Sequence, residues 1–349
     1  MVFSVDTVLD SQNKISSTML NEEIMVEKSS LDEALEIIAH ENEKFNSLFE
    51  GCITEGIMDK ISQFDFSTVL SKIFDLFISA IGRLAGSFGA FLLNFVNKDA
   101  QLKLFKSKLA NYRGSVRYTK PYYTYTHIKP DTMHAVEYKR LIGEVYSNFT
   151  TDFTNTMSRY TSPDELISAM ENKMSEGLGS IDSPNMNHIR ATLVDSSDNI
   201  TSAQYRDELF KYFRNGEVNR TEPTVKMLEK NIDGTRIGVA YNDYCTINSQ
   251  ISAINRESSR YKAEATAAKT RIRTFNPFGS LNKSAVNSQV VVTYNRLVSA
   301  NCREIRNICD AFTIYFAAKI DALKEYNRTN KEILLLACKQ MTRESGNND

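Results

Sequence analysis

Three sets of side chains in this 349-residue chain have types and spacings that could do chemistry. His127, Asp131 and His134 form the one close grouping that involves any of the four histidines. A metal site needs three or four converging ligands, and positions flanking Pro130 at a helix start are more ordinarily surface groups. Cys302 and Cys309 lie one heptad apart on the stripe that also carries Ile305 and Phe312, which makes them small core residues rather than redox or metal groups. The paired carboxylates Glu22 with Glu23 and Asp32 with Glu33 sit in an acidic helical region, where solvated faces and helix caps account for them. No GxSxG, GxxxxGK(S/T), GxGxxG or HExxH occurs. No catalytic, cofactor-binding or metal residue is therefore assigned, and the chain is expected not to be an enzyme.

Binding chemistry is better represented. Residues 98–129 carry Lys98, Lys103, Lys106, Lys108, Arg113, Arg117, Lys120 and Lys129 against Asp99 alone, interleaved with Tyr112, Tyr118, Tyr122, Tyr123 and Tyr125. Cations between aromatic rings suit phosphates and unpaired bases, and they equally suit anionic lipid headgroups. Lys103, Lys106, Lys108, Arg113, Arg117 and Lys120 are the candidates for such contacts. The competing account is internal: residues 1–60 hold 13 acids and 4 lysines, a net of −9, against +7 in the basic stretch. The formal net charge of −1 for the whole chain is thus a cancellation between an acidic leader and a basic remainder.

Between these two regions lies residues 70–96, with apolar positions Leu70, Ile73, Phe74, Phe77, Ile81, Leu84, Phe88, Phe91, Leu92 and Phe95 at helical spacing. The other face is small and weakly polar, and Gly82 with Gly86 makes a GxxxG of the kind that lets helices approach closely in lipid. Such a helix is about 40 Å long, enough to cross a bilayer. Asp75 and Arg83 count against a permanent span, because each charge near a lipid-crossing helix's middle costs ~2.5–3.5 kcal/mol. A core helix is the first reading and conditional membrane insertion the second. Phe77, Ile81, Gly82, Gly86, Phe88, Phe91 and Phe95 are the packing or membrane candidates in either case.

The elements that would position these groups are mostly helices. With 6 Pro and 14 Gly, the chain has long stretches without either breaker. The expected fold is mainly α: an elongated helical protein with a long C-terminal antiparallel helical hairpin and a small extended or β element near residues 115–128. Five units are expected: an acidic helical leader at 1–60, with Ser30 able to cap; the amphipathic helix at 61–97; a basic, Tyr-rich extended segment at 98–130; a helical region at 131–216; and the hairpin with a short terminal helix at 217–349. Asn276 to Gly279 would form the hairpin turn between a stripe running from Ile247 to Ile272 and another from Val286 to Leu323. The five cysteines are odd in number, widely spaced and without CxxC, and the first ten residues include Asp6 and lack a basic start followed by an apolar core. Synthesis in a reducing cytoplasm is the expectation.

Three phrases carry a family likeness: LDEALEIIAHENEKFNSLFE, KIFDLFISAIGRLAGSFGAFLLNF and YRDELFKYFRNGE. Together they resemble virion structural proteins, some of them internal, of large tailed bacteriophages that infect Gram-positive bacteria. The resemblance covers about half the chain, and it implies packaging in or attachment to the virion, some internal members leaving with the DNA; assembly with copies of itself or other virion proteins is expected from the C-terminal hairpin, and contact with DNA or the host membrane from the apolar helix and the basic stretch. The resemblance implies no catalytic residues. A membrane-active, pore-forming or ejected helical effector is the alternative.

Overall fold

The long runs without Pro or Gly produce long helices. The computed structural model describes residues 29–40, 66–97, 100–118, 133–176 and 230–346. In chain order these form α1 (30–40), α2 (Phe66–Asn97), α3 (Ala100–Leu104), α4 (Lys106–Ala110), β1 (Val116–Tyr118), α5 (Met133–Thr151), α6 (Pro163–Glu176), β2 (Lys230–Ile232), α7 (Gly234–Cys245), α8 (Ile247–Ile272) and α9 (Ser288–Gly346). The protein is mainly α-helical, as expected.

From Ser288 to Ser345 nothing interrupts the sequence pattern, and α9 runs unbroken for 59 residues, about 90 Å at 1.5 Å per residue. Its first turn is capped by Asn287, whose Oδ1 accepts from the Val290 amide at 2.9 Å. The short terminal helix expected after the hairpin is not separate: Leu334 to Met341 form the last part of α9. Asn327 and Asn330 within α9 are buried against neighbouring helices. Asn327 Nδ2 donates to Gln250 Oε1 at 2.9 Å and to Leu323 O at 2.8 Å, and Asn330 Oδ1 accepts from Arg236 at 2.6 Å.

The hairpin is present, and side-chain pairs fix its sense. Gln250 meets Asn327, Glu257 meets Lys319, and Tyr261 meets Phe316 at a ring separation of 5.9 Å, so positions rise along α8 as they fall along α9. The connection is longer than a four-residue turn. It spans 273–287 with two short 3₁₀ turns, because Leu281 and Ala285 are buried in the core and Phe278 packs edge-on to Tyr294 at 5.1 Å. Within it Asn276 Oδ1 accepts from the Gly279 amide at 2.9 Å.

Helix α2 packs against both α8 and α9, while α5 and α6 close the other side of α9. Every residue of α9 from 311 to 324 is consequently buried, around the whole circumference of the helix. One large core joins α1, α2, α5, α6, α8 and the first two thirds of α9. A second, smaller core gathers Leu102, Leu109, Tyr112, Val116, Tyr118, Ile232, Ile237 and Ala240 onto Ile333 to Met341 at the far end of α9.

The small β element is present at Val116–Tyr118, and the rest of the expected stretch, from 119 on, lies outside the described residues. The strand pairs antiparallel with Lys230–Ile232, Val116 opposite Ile232 and Tyr118 opposite Lys230. The basic segment is not extended throughout, since 100–104 and 106–110 are helical. The cap of α1 also moves by one residue: Ser29 Oγ accepts from the Asp32 amide at 3.0 Å, while the Ser30 and Leu31 amides donate to the Asp321 carboxylate of α9 at 2.8 and 2.9 Å. Pro163 opens α6 with Asp164 and Glu165 in its first turn, the residue order that favours a helix start. The remainder of the acidic leader, the set His127 with Asp131, Lys120, Tyr122 to Tyr125 and the phrase at 205–217 lie outside the described residues.

Candidate functional site

Two features carry the candidate residues: the apolar helix α2 and the basic lobe of α3, α4 and β1. In α2 the apolar stripe faces inward. Leu70, Ile73, Phe74, Phe77, Ile81, Leu84, Phe88 and Leu92 are all buried. Phe77 stacks on Tyr138 of α5, with ring centres 4.6 Å apart, and meets Tyr261 of α8 edge-on at 5.9 Å. Ser258 of α8 donates to the Ile81 carbonyl at 3.5 Å. Phe91 is half-buried, with Lys324 and Arg328 of α9 over its ring at 5.5 and 5.1 Å. Of Phe95 only the helical backbone is described.

Gly82 and Gly86 do not serve a close helix contact. A Cβ at Gly86 would meet nothing within 4 Å, and one at Gly82 would meet only the mobile end of Lys262. The small-residue stripe turns outward because the bulky positions of α2 take up the space between α8 and α9. By length and composition the segment Phe66–Asn94 could cross a membrane, and in this fold its apolar stripe is buried in the core. Its outer face carries Asp75, which is paired with Lys269 of α8 at 2.6 Å, and Leu93, which is 51% exposed.

The basic residues are exposed as a group. Lys103, Lys106, Lys108, Arg113 and Arg117 all reach solvent, and the described stretch 100–118 contains no acid. Of the rings expected to interleave with them, the two that are described, Tyr112 and Tyr118, do not. Tyr112 and Tyr118 are 8% and 4% exposed, since they belong to the small core, and Tyr118 donates to Glu332 of α9 at 2.9 Å. Burial first, and then the Glu332 contact, pushes the Tyr118 phenol well above its ordinary range.

Groups with reactive potential are spent on packing. Cys302 and Cys309 are buried, as read from the stripe, and burial pushes both thiols up, away from the thiolate form that reacts. The Tyr138 hydroxyl lies 3.6 Å from Cys309 Sγ. Among the described residues no three His, Cys, Asp or Glu side chains gather as a metal site. Asp310 is pushed up to about 6 by burial, against the lowering effect of Arg306 at 3.4 Å.

Two features escaped the sequence reading. The buried pair Glu257 and Lys319 has no motif to announce it. Leu104, 79% exposed among the lysines, had only a signal of mismatch: an apolar residue out of phase with Leu102 and Leu109 on the inward side of the same turn. No protein-family profile, curated protein or solved structure matches the chain.

Proposed function

We propose that this protein is a non-enzymatic structural or internal component of a tailed-bacteriophage virion that assembles through its helical body. The observation that carries the reading is α9. A 59-residue helix with a fully enclosed middle, shared by two cores, is a stiff spacer, and stiffness over a long distance is what a particle component needs. The likeness of three sequence phrases to virion proteins supports the particle rather than another scaffold. Its partners on this reading are further copies or other virion proteins, with DNA or the host membrane as additional contacts. Mass spectrometry of particles purified from the phage that encodes the chain tests it: the protein co-purifies at a fixed ratio to the major capsid protein, and its absence from intact particles sinks the proposal.

The second reading, a membrane-active effector that releases α2, rests on the length and hydropathy of Phe66–Asn94. Dye-loaded vesicles test it. Release of the dye by the intact chain would favour the effector, and retention would remove it.

A further inference from the structure

Residues 100–110 form two short helical pieces whose inward positions are Leu102, Phe105 and Leu109, seated on the small core. At 100° per residue the opposite side presents Leu104 and Ser107, with Lys103 and Lys108 on either flank and Lys106 nearer the core edge. Leu104 is the most exposed large apolar side chain among the described residues, at 79%. An isolated exposed leucine is ordinary. One at the crest of a helical turn, ringed by exposed lysines in a stretch without acids, is the pattern of a peripheral membrane contact, in which ammonium groups meet lipid phosphates and an apolar side chain enters the interface.

The two cationic readings of this lobe now separate. Stacking on bases needs open rings, and Tyr112 and Tyr118 are closed into the core while Phe105 faces inward, with Lys108 at 5.7 Å from its ring. Among the described residues of the lobe, what is left on the surface is charge plus one aliphatic wedge. We propose that the α3–α4 face, through Lys103, Leu104 and Lys108, docks peripherally on a bilayer containing anionic lipids. Docking leaves the fold intact, because none of these three side chains contributes to either core, and it needs no release of α2. The inference is independent of particle membership, since a virion protein and an effector would both use such a face at a membrane.

Flotation of the full chain with unilamellar vesicles tests it, comparing phosphatidylcholine alone with a mixture holding roughly one part in three phosphatidylglycerol. The chain is expected to float only with the anionic vesicles and to dissociate as salt rises toward 1 M, where the screening length falls to ~3 Å. Lys103→Ala and Lys108→Ala should each weaken binding about fivefold, and Leu104→Ser roughly tenfold, all three with unchanged circular dichroism and melting temperature. The same variants are run against duplex DNA. Vesicle binding that depends on Leu104 supports the proposal. Equal binding to both vesicle types, binding indifferent to Leu104→Ser, or DNA binding without vesicle binding would overturn it, the last outcome assigning the lysines to a phosphate backbone.

Discussion

The ammonium of Lys319 in α9 lies 3.2 and 2.9 Å from the two carboxylate oxygens of Glu257 in α8, and both side chains are 1% exposed. The pair sits between Gln250 with Asn327 on one side and Tyr261 with Phe316 on the other, so it fixes the register of the hairpin at its centre. A slip by one turn would bury two charges apart from each other.

Removing one partner should therefore cost more than removing both. Glu257→Leu or Lys319→Met alone is expected to lower stability by about 3–5 kcal/mol, whereas the double replacement returns to near the wild type or above it. Urea denaturation of the three variants measures this, and additive losses would show that the pair is not coupled.

The two faces of α2 should respond oppositely. Phe88→Ala removes a fully buried ring and is expected to cost about 3–5 kcal/mol. Gly86→Leu points into open space and should not lower stability, with a gain of up to about 1 kcal/mol available from helix propensity. Thermal melts of both variants check the assignment of inner and outer face.

Asp310 predicts a pH dependence with a definite sign. Its carboxyl is raised in the fold to about 6 from an ordinary value of 3.8, so the folded state binds a proton more tightly than the unfolded one between those values. That stabilisation is complete below 3.8 and is lost as pH rises through 6. Asp310→Asn should thus raise the melting temperature relative to wild type at pH 7.5, with the advantage shrinking toward pH 4. A difference that does not vary with pH would refute it.

Gly234 opens α7 where the backbone of β1's approach passes. A Cβ there would stand 2.7 Å from the Tyr112 carbonyl oxygen and 3.1 Å from Arg113 Cα, neither of which is a flexible side-chain end. Gly234→Ala is expected to shift that segment and loosen the small core, read as faster amide exchange at Ile237 and Ala240 with Tyr138 and Phe312 in the large core unaffected.

The parts of this fold that could be read in the sequence are those whose apolar positions recur at helical spacing. The α2 stripe, the α8 and α9 stripes, the Pro163 helix start and the core role of Cys302 and Cys309 all follow from local pattern. What escaped depends on partners far along the chain. Among their described side chains β2 and α7 bury Ile232, Ile237 and Ala240, too few to make a stripe, and the strand finds its mate more than a hundred residues earlier. The Gly82 and Gly86 spacing was misleading because spacing alone does not say which face turns inward. At the basic stretch the charges were legible, but the burial of Tyr112 and Tyr118 beside them was not, since polar-tipped rings serve equally as surface and as core.

Leu323 is the last α9 residue in the large core and Ile333 the first in the small one. Ten residues of continuous helix, about 15 Å, therefore meter the gap between the two cores. Each residue inserted here would lengthen that gap by about 1.5 Å and turn Ile333 to Met341 by about 100° against the large core, so seven or eleven residues, two or three turns to within about 20°, would come near restoring their heading. The helix acts as a graduated ruler: it couples the distance between the cores to the direction in which the second one faces.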